Sequence, residues 1–342
     1  MKKATLYIIL LLASHASYSQ VFDNETKSEV DRWSQREKTT RARIRENKIH
    51  SLKTYAYKSD TATGSGFLSS EINYDDNGNM LEYKVFRKSG ALKYHYSYSW
   101  DADGRNLEFR QIRSDGSNKY RETNIYDASG NKTESRTYGR TWLLNSREKL
   151  WWHSIATFDD AQNMLEQKFF MDKADKKLFD RYVYAYYSDG SKKQTIEYSG
   201  KGKVRHTWNY DCDPAGAAEV KNFKDSSKIC VRYETDKDGN KIKVTDENVK
   251  YGKVVRIVHR YDKNENLLEE ISYDSKQRPR FHSVSAYDDK NNCTGFTVYE
   301  RNSSKIKNRS EYRYDSSGNI AEVVAYKNSS VPERILKYNY AR

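Results

Sequence analysis

Acidic side chains recur at fixed positions along this chain, and repeated carboxylates could bind cations or act in acid–base chemistry. Their positions follow an anchor residue, aromatic in most cases, that returns every 24 to 32 residues. The ten anchors are Tyr74, Trp100, Tyr126, Phe158, Tyr186, Tyr210, Thr235, Tyr261, Tyr287 and Tyr314. An Asp follows the anchor directly in nine of the ten units, and a Glu stands eight positions after it in six. A period of this size predicts a repeat architecture.

The spacing of these carboxylates argues against catalysis and against a metal site. Glu residues of consecutive units would lie two strand spacings apart, about 9–10 Å, which is too far for two carboxylates to share a proton. One Asp per turn does not supply the several converging oxygens that a calcium ion requires. We therefore predict that the Asp forms a turn, and that the Glu pairs with Lys or Arg on a neighbouring strand. We predict no metal ligand and no cofactor.

Histidine and cysteine add no catalytic pattern. The seven His residues are scattered, and the sequence contains no His-Glu-x-x-His, no Gly-x-Ser-x-Gly and no Gly-Lys-Ser/Thr loop. Cys212 and Cys230 could meet across neighbouring strands, which would leave Cys293 unpaired, but sequence alone does not establish that bond. We predict no catalytic residue and a protein that is not an enzyme.

Alternating aromatic residues are the strongest candidates for ligand contact. In the segment 94–100 every even position is aromatic, so these rings share one face of a strand, and the segment 182–186 repeats the pattern. Such rings could hold a thin sheet together through cross-strand contacts, or form an exposed platform on which sugar rings or peptides stack. The candidate ligand-binding residues are Tyr94, Tyr96, Tyr98, Trp100, Tyr182 and Tyr184.

The elements that carry these residues follow from the rest of the repeat. Gly is common four positions after the anchor and Asn five positions after it, a combination that predicts a chain reversal. A short alternating segment and a second, weaker turn follow, so each unit reads as two antiparallel strands. Ten units predict an all-β, twisted and curled antiparallel sheet of roughly twenty strands. Pairs of units would also suit a four-stranded β-propeller blade, which is the alternative architecture.

The residues before the first anchor form two further segments. Lys2 and Lys3 precede an apolar run, and small residues follow at Ser17 and Ser19, which predicts a signal peptide at 1–19. The segment 20–48 is rich in basic residues and lacks Gly and Pro, which predicts a solvated helix. The repeat domain then spans 49–342. No second apolar segment predicts a membrane-spanning helix.

The charge of the chain constrains its partners. The formal net charge is +13, and removal of Lys2 and Lys3 with the signal peptide leaves +11. Because we predict export, an anionic polysaccharide or an envelope protein is a better candidate partner than nucleic acid. The same charge also suits solubility alone.

The pattern Tyr-Asp-x-x-Gly-Asn, as in the segments 74–79, 126–131 and 314–319, resembles the YD-repeat (RHS-type) family. The likeness covers about Tyr74 to Arg342, although the Arg that usually follows the turn Gly in this family appears only at Arg105. The resemblance implies long antiparallel sheets that spiral or curl, at bacterial surfaces and as shells around toxins, and an association with carbohydrate. No Pro-rich core-closing motif and no toxin region after Tyr340 are found.

These features together favour a small exported repeat protein of the cell envelope, in the periplasm, on the outer surface or secreted, that acts as a binding module. Polysaccharide or an envelope partner is the expected ligand. The alternatives are a structural or assembly factor that pairs through sheet edges, and a remnant of a toxin-shell protein. For assembly, the C-terminal segment 335–340 is long enough to be an unprotected edge strand.

Overall fold

The computed structural model describes residues 27–58, 66–139, 148–171, 177–210, 226–235, 237, 241–250 and 253–342. The predicted signal peptide, residues 1–19, lies outside this part of the chain, as does Cys212. Helix α1 spans Lys27–Glu46, and 21 strands follow it. The strands are β1 (Ser51–Lys58), β2 (Phe67–Tyr74), β3 (Met80–Phe86), β4 (Leu92–Trp100), β5 (Asn106–Ile112), β6 (Asn118–Tyr126), β7 (Lys132–Gly139), β8 (Lys149–Phe158), β9 (Met164–Phe170), β10 (Leu178–Tyr186), β11 (Lys192–Ser199), β12 (Val204–Tyr210), β13 (Ser226–Thr235), β14 (Lys241–Lys250), β15 (Lys253–Tyr261), β16 (Leu267–Tyr273), β17 (Pro279–Tyr287), β18 (Cys293–Tyr299), β19 (Ile306–Tyr314), β20 (Ile320–Lys327) and β21 (Pro332–Ala341).

All 21 strands belong to one sheet, which confirms the predicted all-β fold with a short N-terminal helix. Strands adjacent in sequence pair antiparallel, as the repeat predicts, and the exception is the parallel pair β12–β13. The β-propeller alternative is wrong, because the strands are hydrogen-bonded into a single sheet rather than separate four-stranded blades.

The sheet is curled so far that its last strand pairs with its first. Strand β1 lies between β2 and β21, and Leu52 is the register partner of both Ile72 and Tyr340. The segment 335–340, predicted as an unprotected edge, belongs to β21, which is paired with β20 on one side and β1 on the other. That prediction is wrong because local sequence patterns do not report pairing between the two ends of a chain.

The turns confirm the chemistry predicted for the Asp and Gly positions. In the first unit the Gly78 amide donates to the Asp75 carbonyl, and the register shifts by one residue at Tyr74, as in a tight hairpin with a bulge. The residue four positions after the anchor has a positive φ even where it is not glycine, as at Gln162 (64°) and Glu265 (61°). The repeated backbone geometry is therefore stricter than the repeated sequence.

Strand alternation gives the sheet two faces, because register partners share a face. We call the side that carries Tyr83, Tyr96 and Tyr98 the tyrosine face, since Tyr83 pairs with Tyr96 and Tyr98 with Phe109. The opposite side is the charged face, which carries Glu82 and the equivalent Glu of other units.

Helix α1 packs against one end of the tyrosine face. Ile44 is buried there with Ile72 and Tyr83. The helix also contacts turns at both ends of the repeat domain: a Cβ on Gly78 would lie 2.3 Å from the carbonyl oxygen of Arg41, and the Arg43 guanidinium donates to the Gly318 carbonyl at 2.8 Å. The helix thus lies where the first and last units meet, next to the β21–β1–β2 pairing.

Candidate binding surface on the tyrosine face

The Asp of each turn uses both carboxylate oxygens locally. Asp75 Oδ1 accepts hydrogen bonds from the amides of Asn77 (3.0 Å) and Asn79 (2.8 Å), and its Oδ2 accepts from the Asn79 side chain (2.9 Å). The same amide-to-Oδ1 and side-chain-to-Oδ2 contacts recur in the pairs Asp127–Asn131, Asp159–Asn163, Asp262–Asn266, Asp288–Asn292 and Asp315–Asn319. Hydrogen bonds from the Asn side chain and backbone lower the pKa of Asp127, Asp159 and Asp288. Within the described part of the chain, no three His, Cys, Asp or Glu side chains are grouped so that they could hold a metal ion.

Arg105 takes the place of Asn in the second unit and makes the equivalent contact. Its Nε donates to Asp101 Oδ2 at 2.5 Å, while its amide donates to Asp101 Oδ1 at 2.8 Å. Asn and Arg are therefore interchangeable at this position of the repeat, because both present an N–H to the same carboxylate oxygen.

Tyr and Trp anchors link their units to the preceding ones. The indole N–H of Trp100 donates to the Met80 carbonyl at 2.7 Å, and the Tyr314 hydroxyl donates to the Cys293 carbonyl at 2.7 Å. In these contacts the acceptor is the residue six positions after the preceding anchor, and the further examples are Tyr126 to Asn106, Tyr186 to Met164, Tyr287 to Leu267 and, 26 residues after the last anchor, Tyr340 to Ile320. We call this series the anchor ladder; sequence reasoning missed it, although the fixed spacing of the anchors is its signal.

The Glu residues that stand eight positions after an anchor, which we call the Glu column, lie on the charged face. They form ion pairs with basic residues, as the sequence predicts. Glu166 contacts Lys168 on its own strand at 2.6 Å and Arg181 on the neighbouring strand. Burial alone would raise the pKa of Glu166, but the hydrogen bonds from these two cations outweigh it and lower the pKa. The carboxylate is thus kept ionised and held by two cations.

The basic partner of the Glu also covers an aromatic ring of the next unit. Arg121 contacts the repeated Glu108 at 3.5 Å, and its guanidinium lies 4.1 Å from the centre of the Tyr138 ring. His282 contacts Glu269 at 2.9 Å and stacks on Tyr299 at 4.5 Å between ring centres. This contact explains why an aromatic residue recurs twelve positions after the anchor. The sequence shows this regularity, but the reason for it is visible only in the structure.

Four of the predicted site residues form the first aromatic cluster, on β4. Tyr96 stacks between Tyr83 and Phe109, with ring centres 5.9 and 5.8 Å apart. The hydroxyl of Tyr98 is buried, and burial raises the pKa of that hydroxyl. The Arg41 guanidinium lies 4.7 Å from the Trp100 ring. This cluster therefore joins the core beneath helix α1.

Tyr94 is the exception within the first cluster. Its ring is 40% exposed, although it stacks on Tyr96 at 6.1 Å between ring centres. Lys93 lies 5.0 Å above the same ring. Of the four predicted residues on β4, Tyr94 has the most accessible ring.

The other two predicted residues belong to a second aromatic cluster, on β8–β12. Tyr182 meets Phe169 edge-on at 5.8 Å and stacks on Trp208 at 6.5 Å. Trp152 packs against both Phe169 (5.6 Å) and Phe179 (5.3 Å). Phe179 is 36% exposed.

Tyr184 lies beside the second cluster but is more deeply placed. Only 7% of it is exposed, and Lys192 lies 5.3 Å from its ring. The structure thus brings Tyr182 into an aromatic surface and leaves Tyr184 as a packing residue at its margin.

Two carboxylates and an arginine lie within the second cluster. Asp180 and Glu197 both contact Arg205, the latter at 3.6 Å, and the guanidinium lies 5.5 Å from the Phe179 ring. Asp180 is buried, and burial raises its pKa although Arg205 acts in the opposite direction. Neither the acids nor the arginine was predicted from sequence, because no motif marks them.

A strip of small polar residues separates the two clusters on the tyrosine face. Its members are Glu122, Asn124, Ser135, Thr137 and Ser154, which are register partners across β6–β8 and are all buried. Burial raises the pKa of Glu122, which accepts a hydrogen bond from Tyr120 at 3.0 Å. Phe109 borders the strip on one side and Trp152 on the other, because each is the register partner of a strip residue. We refer to these five residues as the polar strip.

Comparisons with known proteins leave the family open. No family model matches the chain, and no curated protein matches it in sequence. Among solved structures the chain is similar to the crystal structure of TcdB2-TccC3-Cdc42, at 11% identity and a TM-score of 0.33, over 82% of this chain and 19% of that chain. It is also similar to a Photorhabdus luminescens Tc holotoxin pore, at 12% identity and a TM-score of 0.30, over 81% of this chain and 18% of that chain.

A porin-like protein from Bacteroides uniformis is similar at 8% identity and a TM-score of 0.30, over 86% of this chain and 98% of that chain. The chain spans about a fifth of the length of the toxin chains that it matches. TM-scores below 0.5 do not establish a shared fold. A search of the helices in the described part of the chain finds none with the length and apolar character to cross a bilayer.

Proposed function

We propose that this protein is an exported binding module of the cell envelope that holds a polysaccharide against the second aromatic cluster. The observation that carries the proposal is the row of neighbouring rings formed by Trp152, Phe179, Tyr182 and Trp208, with Phe179 36% exposed. Sugar rings present apolar faces that stack on aromatic rings, and a few fixed polar groups orient them. Asp180 and Arg205 supply such groups at the edge of this surface.

The arrangement supports binding more than catalysis. Acid–base chemistry on a glycosidic bond needs two carboxylates that flank the bond and differ in protonation. Asp180 and Glu197 instead converge on the same guanidinium, which satisfies both. The Glu residues of the charged face are likewise paired with cations, as at Glu166.

Export rests on the N-terminal pattern. Lys2 and Lys3, the apolar run after them and the small residues Ser17 and Ser19 are the features that support it. Retention of a reporter fused after residue 19 in the cytoplasm would overturn this part of the proposal.

The binding proposal is tested with the chain from Gln20 to Arg342 on a panel of immobilised polysaccharides. We expect Phe179→Ala to weaken retention by about 10-fold, because one stacked ring contributes roughly 1–2 kcal/mol. Tyr187→Ala is the matched control, since Tyr187 is 43% exposed but lies in the turn after β10. No retention on any polysaccharide, or equal loss in both variants, would contradict the proposal.

A further inference from the structure

The charges of the tyrosine face differ from those of the whole chain. On β4–β12 this face carries the carboxylates of Glu122, Asp180 and Glu197, whose register partners place them there. Arg205 is committed to two of these carboxylates. These three carboxylates contrast with the formal charge of +13 of the whole chain.

Two lysines at the turn edge, Lys132 and Lys192, also reach this face on β4–β12. Lys132 lies near Glu122 and lowers the pKa of that carboxyl, in opposition to burial. Lys192 covers the rings of Tyr184 and Tyr210, at 5.3 and 5.6 Å. An anionic polysaccharide repeats a negative charge along its length and needs a matching row of cations, which the middle of this face does not present among its described residues.

Unsatisfied polar atoms line the same face. Asn124 is 7% exposed, and its Oδ1 atom has no hydrogen-bond partner among the described residues, although its Nδ2 atom donates to the Asn106 carbonyl at 3.1 Å. The buried hydroxyl of Tyr98 also has no partner within the described part of the chain, but it lies in the core beneath helix α1 and not at the strip. Buried polar atoms of this kind are normally satisfied by water or by a ligand. A carbonyl oxygen calls for a hydroxyl or amide donor, which a neutral sugar offers.

We infer that the ligand of the tyrosine face is an uncharged polysaccharide, which stacks on the second aromatic cluster and ends at the border of the polar strip. This inference rests on the proposed function and specifies its ligand class. The rings from Trp152 on β8 to Trp208 on β12 span four strand spacings, about 19 Å, so several consecutive sugar rings share the site. Anionic polymers bind the charged face instead, through charge alone.

The test compares uncharged and anionic oligosaccharides of equal length by calorimetry, with the chain from Gln20 to Arg342 at low and high salt. Cellohexaose, mannohexaose and N-acetylchitohexaose are the uncharged probes, and hexagalacturonate is the anionic one. We expect at least one uncharged probe to bind with an affinity that changes less than about 2-fold with salt. Hexagalacturonate should bind only at low salt.

Two variants locate the sites. Phe179→Ala should abolish most of the binding of the uncharged probe and leave that of hexagalacturonate unchanged. Asn124→Ala should weaken the binding of the uncharged probe by about 2- to 10-fold, because one hydrogen bond is lost. The melting temperature of this variant is measured alongside to exclude unfolding. If Asn124→Ala unfolds the chain, the affinity for the uncharged probe is measured in Asn124→Ser, which keeps a polar atom.

The outcomes separate the inference from the proposed function. Salt-resistant binding of hexagalacturonate that is lost in Phe179→Ala would overturn the uncharged ligand and keep the binding function. Failure of every uncharged and anionic probe to bind above the Phe179→Ala background would overturn both.

Discussion

The two aromatic clusters arise from the same sequence signal but have different surroundings. On β4, helix α1 brings Arg41 over Trp100 and Ile44 into contact with the neighbouring core, so the rings become the interior of the molecule. On β8–β12 the ring of Phe179, by contrast, remains exposed. Alternating aromatics therefore specify a strand face, while the element packed on that face decides between a core and a binding surface.

If the first cluster is core and the second is surface, the largest loss of stability is expected at Tyr83, which is only 2% exposed and stacks on Tyr96. Tyr83→Ala should lower the free energy of unfolding by about 3–5 kcal/mol, whereas Phe179→Ala should lower it by about 1 kcal/mol or less. Denaturant titration of both variants measures the difference. Similar losses at the two positions would show that the clusters are packed alike.

Substitution of Gly78 tests whether helix α1 docks against the first turn of the repeat. Gly78 and Gly190 have nearly the same φ, +79° and +78°, but only Gly78 lies against the helix. We expect Gly190→Ala to lower the free energy of unfolding by about 1–2 kcal/mol from backbone strain alone. Gly78→Ala should lose about 2–4 kcal/mol, because its Cβ also meets the Arg41 carbonyl. Equal losses in denaturant titrations would contradict the docking of α1 at this turn.

A turn remote from the helix provides a smaller effect. Asp288 accepts two hydrogen bonds from Asn292, while its neighbour Asp289 is exposed. Asp288→Ala should lower the free energy of unfolding by about 1 kcal/mol, and Asp289→Ala should change it by less than about 0.5 kcal/mol. Thermal unfolding of the pair distinguishes a turn-forming Asp from one that is only solvated; identical melting temperatures would refute the turn role.

The smallest predicted effect is the pH dependence of stability, to which the buried carboxyls Glu122 and Asp180 contribute. The turn residues Asp127 and Asp288 have lowered pKa values, so their stabilisation is complete above the unfolded pKa of about 3.9 and is lost as the pH falls from there through the lower folded pKa. Glu122 and Asp180 have raised pKa values, so the folded state takes up protons first and gains stability as the pH falls from neutral toward about 4–5. Stability should rise slightly on mild acidification and then fall.

Urea titrations at pH 7, 5 and 3.5 measure this profile. Glu122→Gln, which keeps the size of the side chain, should reduce the rise between pH 7 and 5 and leave the acid-side fall unchanged. A rise of the same size in Glu122→Gln and in Asp180→Asn would show that neither buried carboxyl is its source.

Much of the fold was predictable because its information is local. The anchor period, the Asp–Asn turn and strand alternation act within a few residues of each other, so the two-stranded units and the Glu pairing were predicted. The β1–β21 pairing was not, because Leu52 and Tyr340 lie at opposite ends of the repeat domain and no local pattern joins them.

The candidate site was predictable only in part. Tyr182 was identified by alternation, but Phe179 on the same strand is out of phase with it, and Trp152 stands next to Trp151 on a strand without alternating aromatic residues. Asp180 and Glu122 resemble any other acidic residue in the sequence, and only the register across four strands shows that they face the rings. Exposure, which separates the two clusters, depends on where α1 docks.

The anchor ladder has a consequence for how such a chain changes in length. A unit with a Tyr or Trp anchor brings one donor, the anchor hydroxyl or indole, and one acceptor six residues further on, as Tyr314 and Ile320 show. Duplication of such a unit therefore leaves its donor and acceptor matched, whereas insertion of half a unit leaves one of each without a partner. Selection on such a gene would tolerate gains and losses in steps of about 26 residues and purge the intermediate lengths.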